Sequence, residues 1–268
     1  MTAPPVALPA VTDGDLTNSK NGDFNNRTLS EDVNAGGYDS NWTTTTVAVG
    51  ACTITVKADK RDKHRKLKKT SVIKAVGRVQ GKGFAVPNFE VRLSGKSGVR
   101  CITYKSDAQG NDPPVMYLGS QITGTNKASP HNKGIVEGDM GTKGDRGVAH
   151  RLYDENKQFF GNPGLTAQAE AVVVHELGHI LHEAQSSANF WREKISSKSI
   201  ANVNGMAAAA SGISQYALKG PLEFVAEVFT ALVYGRTVSA NSLRWYITLG
   251  GPTAPGFYSP PPPLPPAV

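Results

Sequence analysis

Hydrophobic and polar positions divide the chain into two regimes. Between residues 45 and about 125, short β-branched or aromatic runs alternate with Gly, Asn and Pro breaks: Ala51–Val56, Ser71–Val79, Phe89–Leu93, Val99–Tyr104 and Val115–Leu118. Such residues fit a pleated, half-buried surface and the breaks supply turns, so the stretch predicts a small antiparallel β-sandwich. Beyond residue 160 the period lengthens. Asn162-Pro163-Gly164 signals a turn, Thr166 suits an N-cap, and Glu170 falls in a first turn, where a carboxylate complements the helix dipole. A helix is predicted to follow, through the apolar run Val172-Val173-Val174 and on past His175. A second helix starts at Pro221, a residue suited to a first turn, and stops near Gly235; a third spans Asn241–Leu249 and ends at Gly250-Gly251-Pro252. Gly134–Glu137 and Gly147–Tyr153 read as strands beside the first of these helices. Residues 1–44 are polar and aperiodic, a flexible leader, and Pro260–Pro266 reads as extended polyproline. The expected class is α+β, with a leader at 1–44, a β-sandwich-like domain at 45–125, a second domain at 126–258 and a Pro-rich tail at 259–268.

The first helix carries His175-Glu176-Leu177-Gly178-His179. Helical spacing puts the two imidazoles one turn apart on one face, where they can share a zinc ion. Glu176, one step round, can take a proton from a water activated there. Gly178 leaves room for a close neighbour, although an interior glycine costs about 1 kcal/mol of helix stability. A catalytic zinc needs a third protein ligand. The histidines are His64, His131, His150, His175, His179 and His182; position 185 is Gln, and no Asp follows Asp154. That leaves Glu183, Glu193, Glu223 and Glu227. Glu183 shares the helix of the histidines, and one helix face does not wrap three ligands round a tetrahedral ion. Glu193, in Trp191-Arg192-Glu193-Lys194, is expected to face solvent. Glu223 and Glu227 sit at i and i+4 in the apolar run of the second helix, a costly placement unless each has a partner. Glu223 is therefore taken as the third ligand and Glu227 as the acceptor of a hydrogen bond from a ligand histidine, or as a group orienting the second helix; the two roles are exchangeable at this level. His182 reads as a structural or surface histidine.

His-Glu-Leu-Gly-His, then Tyr216 seven residues before Glu223, then Glu-Phe-Val-Ala-Glu-Val-Phe resembles the catalytic domain of the anthrax lethal factor-like gluzincin toxins over residues 170–235, about a quarter of the chain. The resemblance implies a zincin-like fold for the C-terminal domain and zinc held by His175, His179 and Glu223, with Glu176 as general base. It also implies that Tyr216 approaches the metal and assists the transition state. The activity it implies is zinc-dependent endopeptidase, in a secreted or injected bacterial effector acting on a protein or peptide. No likeness extends to the toxin's other domains, so no substrate transfers. Gly81–Val91 and Ser106–Asn111 weakly resemble immunoglobulin-like or prealbumin-like repeats of bacterial surface proteins. Two rival readings keep the metal: a binding or adhesion module with a structural or inactive zinc, and a zinc amidase acting on cell-wall peptides.

Composition adds bounds. The 268 residues are 39% hydrophobic, with mean hydropathy −0.31, and no apolar run reaches membrane-spanning length. The start, Met1–Ala10, lacks a basic segment and is broken by prolines, so export is expected by another route, after removal of a signal, or not at all, leaving the chain cytoplasmic. Cys52 and Cys101 form either one bridge or two buried thiols. From Lys57 to Asp107 there are 15 Lys and Arg against four acidic residues, while the whole chain carries only +7. Residues 60–69 are the densest part. No aromatics interleave with these lysines, which disfavours nucleic acid. What remains is a solvated loop between strands that discourages edge pairing, or attraction to an acidic partner or anionic surface.

Overall fold

Strand β1 (Trp42–Val49) and strand β2 (Cys52–Asp59) form an antiparallel hairpin in register from Trp42 opposite Asp59 to Val49 opposite Cys52. Gly50, with φ of 55°, makes the turn in the left-handed region that glycine tolerates. In this computed structural model, residues 41–94, 102–104, 113–119, 165–190, 200, 205–214, 216–259 and 261 are described. Along β2, Cys52, Ile54, Val56 and Ala58 are buried with period two, which is how one face of a strand meets a core.

The next segment departs from expectation. Ser71–Val79 is not a strand, and residues 60–69 are not a loop between strands: helix α1 spans Arg65–Gln80. Its buried positions, Lys68, Ser71, Val72, Ala75, Val76 and Val79, recur at three and four, the period of one helix face. A short apolar run rich in valine does not distinguish strand from helix by itself, and here tertiary packing decides. The helix serves as the crossover between parallel strands. β2 pairs in parallel with β3 (Phe89–Leu93), and β3 pairs in parallel with β5 (Val115–Leu118). β4 (Ile102–Tyr104) pairs antiparallel with β5, giving the order β1-β2-β3-β5-β4. The expected antiparallel sandwich is thus replaced by one mixed five-stranded sheet, and the α+β class stands. All five residues of β3 are buried, as a strand covered on both faces must be.

Lys68 is the reason the basic run can enter a helix. Its side chain is buried, and Nζ donates to Asp62 Oδ2 at 2.8 Å, to the Ser94 carbonyl at 2.8 Å and to the Leu118 carbonyl at 3.4 Å. One lysine therefore satisfies carbonyls at the C-terminal ends of β3 and β5 while a carboxylate balances its charge.

The remaining helices are α2 (Leu165–Gln185), α3 (Met206–Ser211), α4 (Pro221–Val233) and α5 (Ala240–Thr248), with a 3-10 turn at Tyr216–Lys219. α2 begins at Leu165, one residue ahead of the Thr166 expected as its cap. Pro221 opens α4, and Gly235, with φ of 70°, follows its end, where the Arg236 N–H reaches the Ala231 carbonyl at 2.8 Å. Ser239 caps α5 by accepting from the Ser242 N–H at 3.0 Å. Glu170 is expected in a first turn, but the first turn of α2 holds no acidic residue; Glu170 is instead ion-paired with Arg78 of α1, whose guanidinium also lies 4.6 Å from the Tyr234 ring centre at the end of α4.

A continuous hydrophobic core runs from Cys52 and Val72 through Phe89 and Leu93 to Val174, Phe224, Tyr246 and Leu249. It crosses the border drawn between residues 125 and 126, so the sheet and α1 pack as one body with the later helices rather than as a separate sandwich. Cys52 is a buried thiol that donates to the Pro87 carbonyl at 3.3 Å. Of the leader expected at 1–44, Trp42–Thr44 belong to β1, and residues 1–40, Cys101, Glu193, the two strands expected at Gly134–Glu137 and Gly147–Tyr153, and most of the Pro-rich tail lie outside the described residues.

Candidate metal centre

The site forms where α2 and α4 come together, and Gly178 permits the approach. A Cβ there would meet the Phe229 ring at 3.1 Å and the Ala226 Cα at 3.2 Å, tighter than ordinary packing allows. With only a hydrogen in that place, the first turns of α4 lie alongside His175 and His179. The apolar residues of α4, with Phe224, Val225, Ala226, Val228 and Phe229 all buried, hold it there by hydrophobic burial.

Both histidines turn toward Glu223. His175 Nε2 lies 3.1 Å and His179 Nε2 3.5 Å from Glu223 Oε2, and the three ligand atoms are all within 4.8 Å of one another. His175 is buried, while His179 and Glu223 keep some exposure, 12% and 29% at their side chains, so the group opens on one side. Glu227, one turn further along α4, meets the other nitrogen of His175: Nδ1 to Oε1 is 2.9 Å. Geometry thereby separates the two carboxylates that spacing left exchangeable. Glu223 faces both imidazoles and Glu227 backs one of them.

Glu227 is fully buried and has a second partner that sequence reasoning missed. The Ser214 hydroxyl donates to its Oε2 at 2.6 Å and itself accepts from the Ala217 N–H at 2.9 Å. A serine two residues ahead of a turn is a recognisable local cap, but nothing in the linear chain shows that its proton goes to a carboxylate on another helix.

Electrostatics follow from these contacts. Burial opposes a charge on His175, yet hydrogen bonds to Glu223 and Glu227 outweigh it and hold the imidazole well above its ordinary pKa. Burial likewise opposes ionisation of Glu223, but His179 and His175 hold it well below the usual carboxylate range. Two carboxylates therefore surround one cationic position. With the Nδ1 proton of His175 directed to Glu227, Nε2 is the nitrogen left to face Glu223 and His179. The donor set of two imidazoles and one carboxylate, so balanced, fits a metal ion, and His175, His179 and Glu223 could hold it.

Glu176 is buried on α2 next to His175. Tyr216 opens the 3-10 turn with its ring centre 5.8 Å from that of His175, inclined at 61°. His182 is structural rather than superficial: it is fully buried, its Nε2 donates to the Leu249 carbonyl at 2.8 Å, and its ring meets Phe190 edge-on. Glu183 does not belong to the ligand group among the described residues.

Comparison of the chain with family models, with curated proteins and with solved structures found no match in any of the three.

Proposed function

We propose that this chain is a zinc-dependent endopeptidase, and the observation that carries the reading is the convergence of His175 Nε2, His179 Nε2 and Glu223 Oε2 from two helices within 4.8 Å. Two nitrogen donors and one oxygen favour zinc over magnesium or calcium, which prefer oxygen alone. Zinc held by His175, His179 and Glu223 would supply Lewis acidity to the scissile carbonyl and the attacking water. Glu176 accepts the proton of the attacking water and returns it to the leaving amine. Tyr216, beside His175, donates a hydrogen bond to the carbonyl oxygen of the substrate as that oxygen gains charge. Glu227 keeps His175 in the tautomer that presents Nε2. The substrate class is a protein or peptide, and the motif resemblance leads us to place the chain among exported bacterial effectors.

The test is cleavage of an unfolded generic protein by the zinc-loaded chain, with a chelator and Glu176→Gln as controls. Cleavage that needs both zinc and Glu176 supports the proposal. Full zinc occupancy without cleavage of any peptide would point to a structural metal in a binding module. Activity confined to cell-wall peptides would point to an amidase.

A further inference from the structure

We propose that Ser214 is a positioning residue that ties the Tyr216-bearing turn to the metal ligand His175, an inference resting on the metal-centre reading above. The hydrogen bonds form an unbroken series. The Ala217 N–H can only donate, so the Ser214 hydroxyl accepts it at 2.9 Å and sends its own proton to Glu227 Oε2 at 2.6 Å. Oε1 of the same Glu227 lies 2.9 Å from His175 Nδ1, which carries the series on to the metal ligand. A main-chain amide in the turn is thus linked through Ser214 and Glu227 to a metal ligand. Ser214 and Glu227 are both fully buried, where water does not substitute for a missing partner. A serine acting only as a cap would need the Ala217 contact alone. The second contact links the turn, and with it the Tyr216 ring, to the imidazole it stands beside. Metal binding and the placement of Tyr216 are then coupled through Ser214.

Cobalt(II) substitution tests this without relying on turnover. Ser214→Ala is expected to weaken metal binding about 10- to 100-fold, as loss of outer contacts to ligands does. It should also alter the cobalt absorption bands and abolish metal-dependent hydrogen-exchange protection across residues 214–219. Ser242→Ala is the matched control: Ser242 is equally buried, its hydroxyl donates to the Ala209 carbonyl at 2.9 Å, and its loss should lower stability only. Losses in Ser214→Ala and Glu227→Gln should be non-additive in the double variant. If Ser214→Ala does not fold, the pair Ser214→Thr and Ser214→Val, alike in shape but not in hydroxyl, replaces it, and only the threonine should bind like wild type. A folded Ser214→Ala with wild-type cobalt affinity and spectrum overturns the role of Ser214. A wild-type chain that takes up neither cobalt nor zinc overturns the metal reading itself.

An independent set of observations concerns residues 41–94. All three acidic residues there, Asp59, Asp62 and Glu90, are buried and ion-paired. The four arginines each have partners within the chain, although Arg61, Arg65 and Arg78 stay exposed: Arg61 pairs with Asp59, Arg65 with the carbonyls of Lys60 and Asp62, Arg78 with Glu170, and Arg92 with Glu90. Lys63, Lys66, Lys74 and Lys82 are exposed, carried by α1 and its flanks, whose other face is fixed in the core. We infer that this lysine face docks on an anionic lipid bilayer. Hydrated ammonium groups suit a field of mobile headgroups, whereas phosphate and base readout in nucleic acids favours guanidinium forks and stacking rings, and the guanidinium groups beside these lysines are engaged by the chain's own carboxylates and carbonyls. Cosedimentation with phosphatidylcholine vesicles should require added phosphatidylserine and fade with salt. The triple variant Lys63→Glu, Lys66→Glu, Lys74→Glu should reduce partitioning about 100-fold. Equal binding to both vesicle types, no binding to either, or tighter binding to duplex DNA overturns it.

Discussion

Two of the places where the described residues bury ionic groups differ in how they are closed. At the ends of β3 and β5, Lys68 and Asp62 are sealed, with 0% and 2% of their side chains exposed, and backbone carbonyls take up the remaining protons of the ammonium group. Between α2 and α4, His175 and Glu227 are sealed in the same way, but Glu223 and His179 open outward. The first cluster is complete with the chain's own atoms. The second places two carboxylates around a cationic position bordered by imidazole nitrogens and reachable from outside. Burial of charge alone therefore does not separate the two clusters; the open side of the second does.

Substitutions that break one cluster and spare the other sharpen this contrast. Glu176→Gln should reduce peptide cleavage by about 10³-fold or more with metal content unchanged, whereas Glu223→Ala should lose the metal, as elemental analysis of the dialysed proteins will show. Lys68→Met should destabilise the fold by about 3–5 kcal/mol in denaturant titration, because Asp62 is left buried without its cation. Pairing it with Asp62→Leu should restore much of that loss, and zinc affinity should stay near wild type in the folded double variant. Zinc at about a hundred times its dissociation constant should stabilise the wild type by about 2.7 kcal/mol and Glu223→Ala not at all, a difference visible in thermal unfolding. Gly178→Ala trades a helix-propensity gain of about 1 kcal/mol against overpacking of about 1–3 kcal/mol on Phe229 and Ala226. Its net effect on unfolding should be small, and its signature should be weaker metal binding as α4 is pushed away. The smallest effect belongs to Cys52, whose thiol burial pushes up to about 11. Native protein at pH 8 should leave Cys52 unalkylated in peptide mapping, because the reactive thiolate forms only at higher pH.

Legibility in the sequence was uneven for physical reasons. His175, Glu176 and His179 were readable because ligand spacing on a helix is local and the helix period is fixed. The helix bounds at Pro221 and Gly235 were readable because proline and glycine act through their own backbone restrictions. Ser71–Val79 was not, since valine and isoleucine favour a strand until a neighbouring sheet and α2 supply the surface that a helix covers. Lys68 was unreadable for a similar reason: its partners Ser94 and Leu118 lie 26 and 50 residues away.

By itself the chain determined that His175 and His179 share one helical face, with Glu176 one step round, and that Glu223 and Glu227 lie a turn apart on another helix, because such relations depend only on residue spacing. Tertiary structure alone decided that Glu223 faces both histidines while Glu227 backs His175 and receives Ser214. That choice depends on how α4 is rotated against α2 at their contact beside Gly178, and such a rotation is set by the packing of Ala226 and Phe229 against that glycine, not by any local preference.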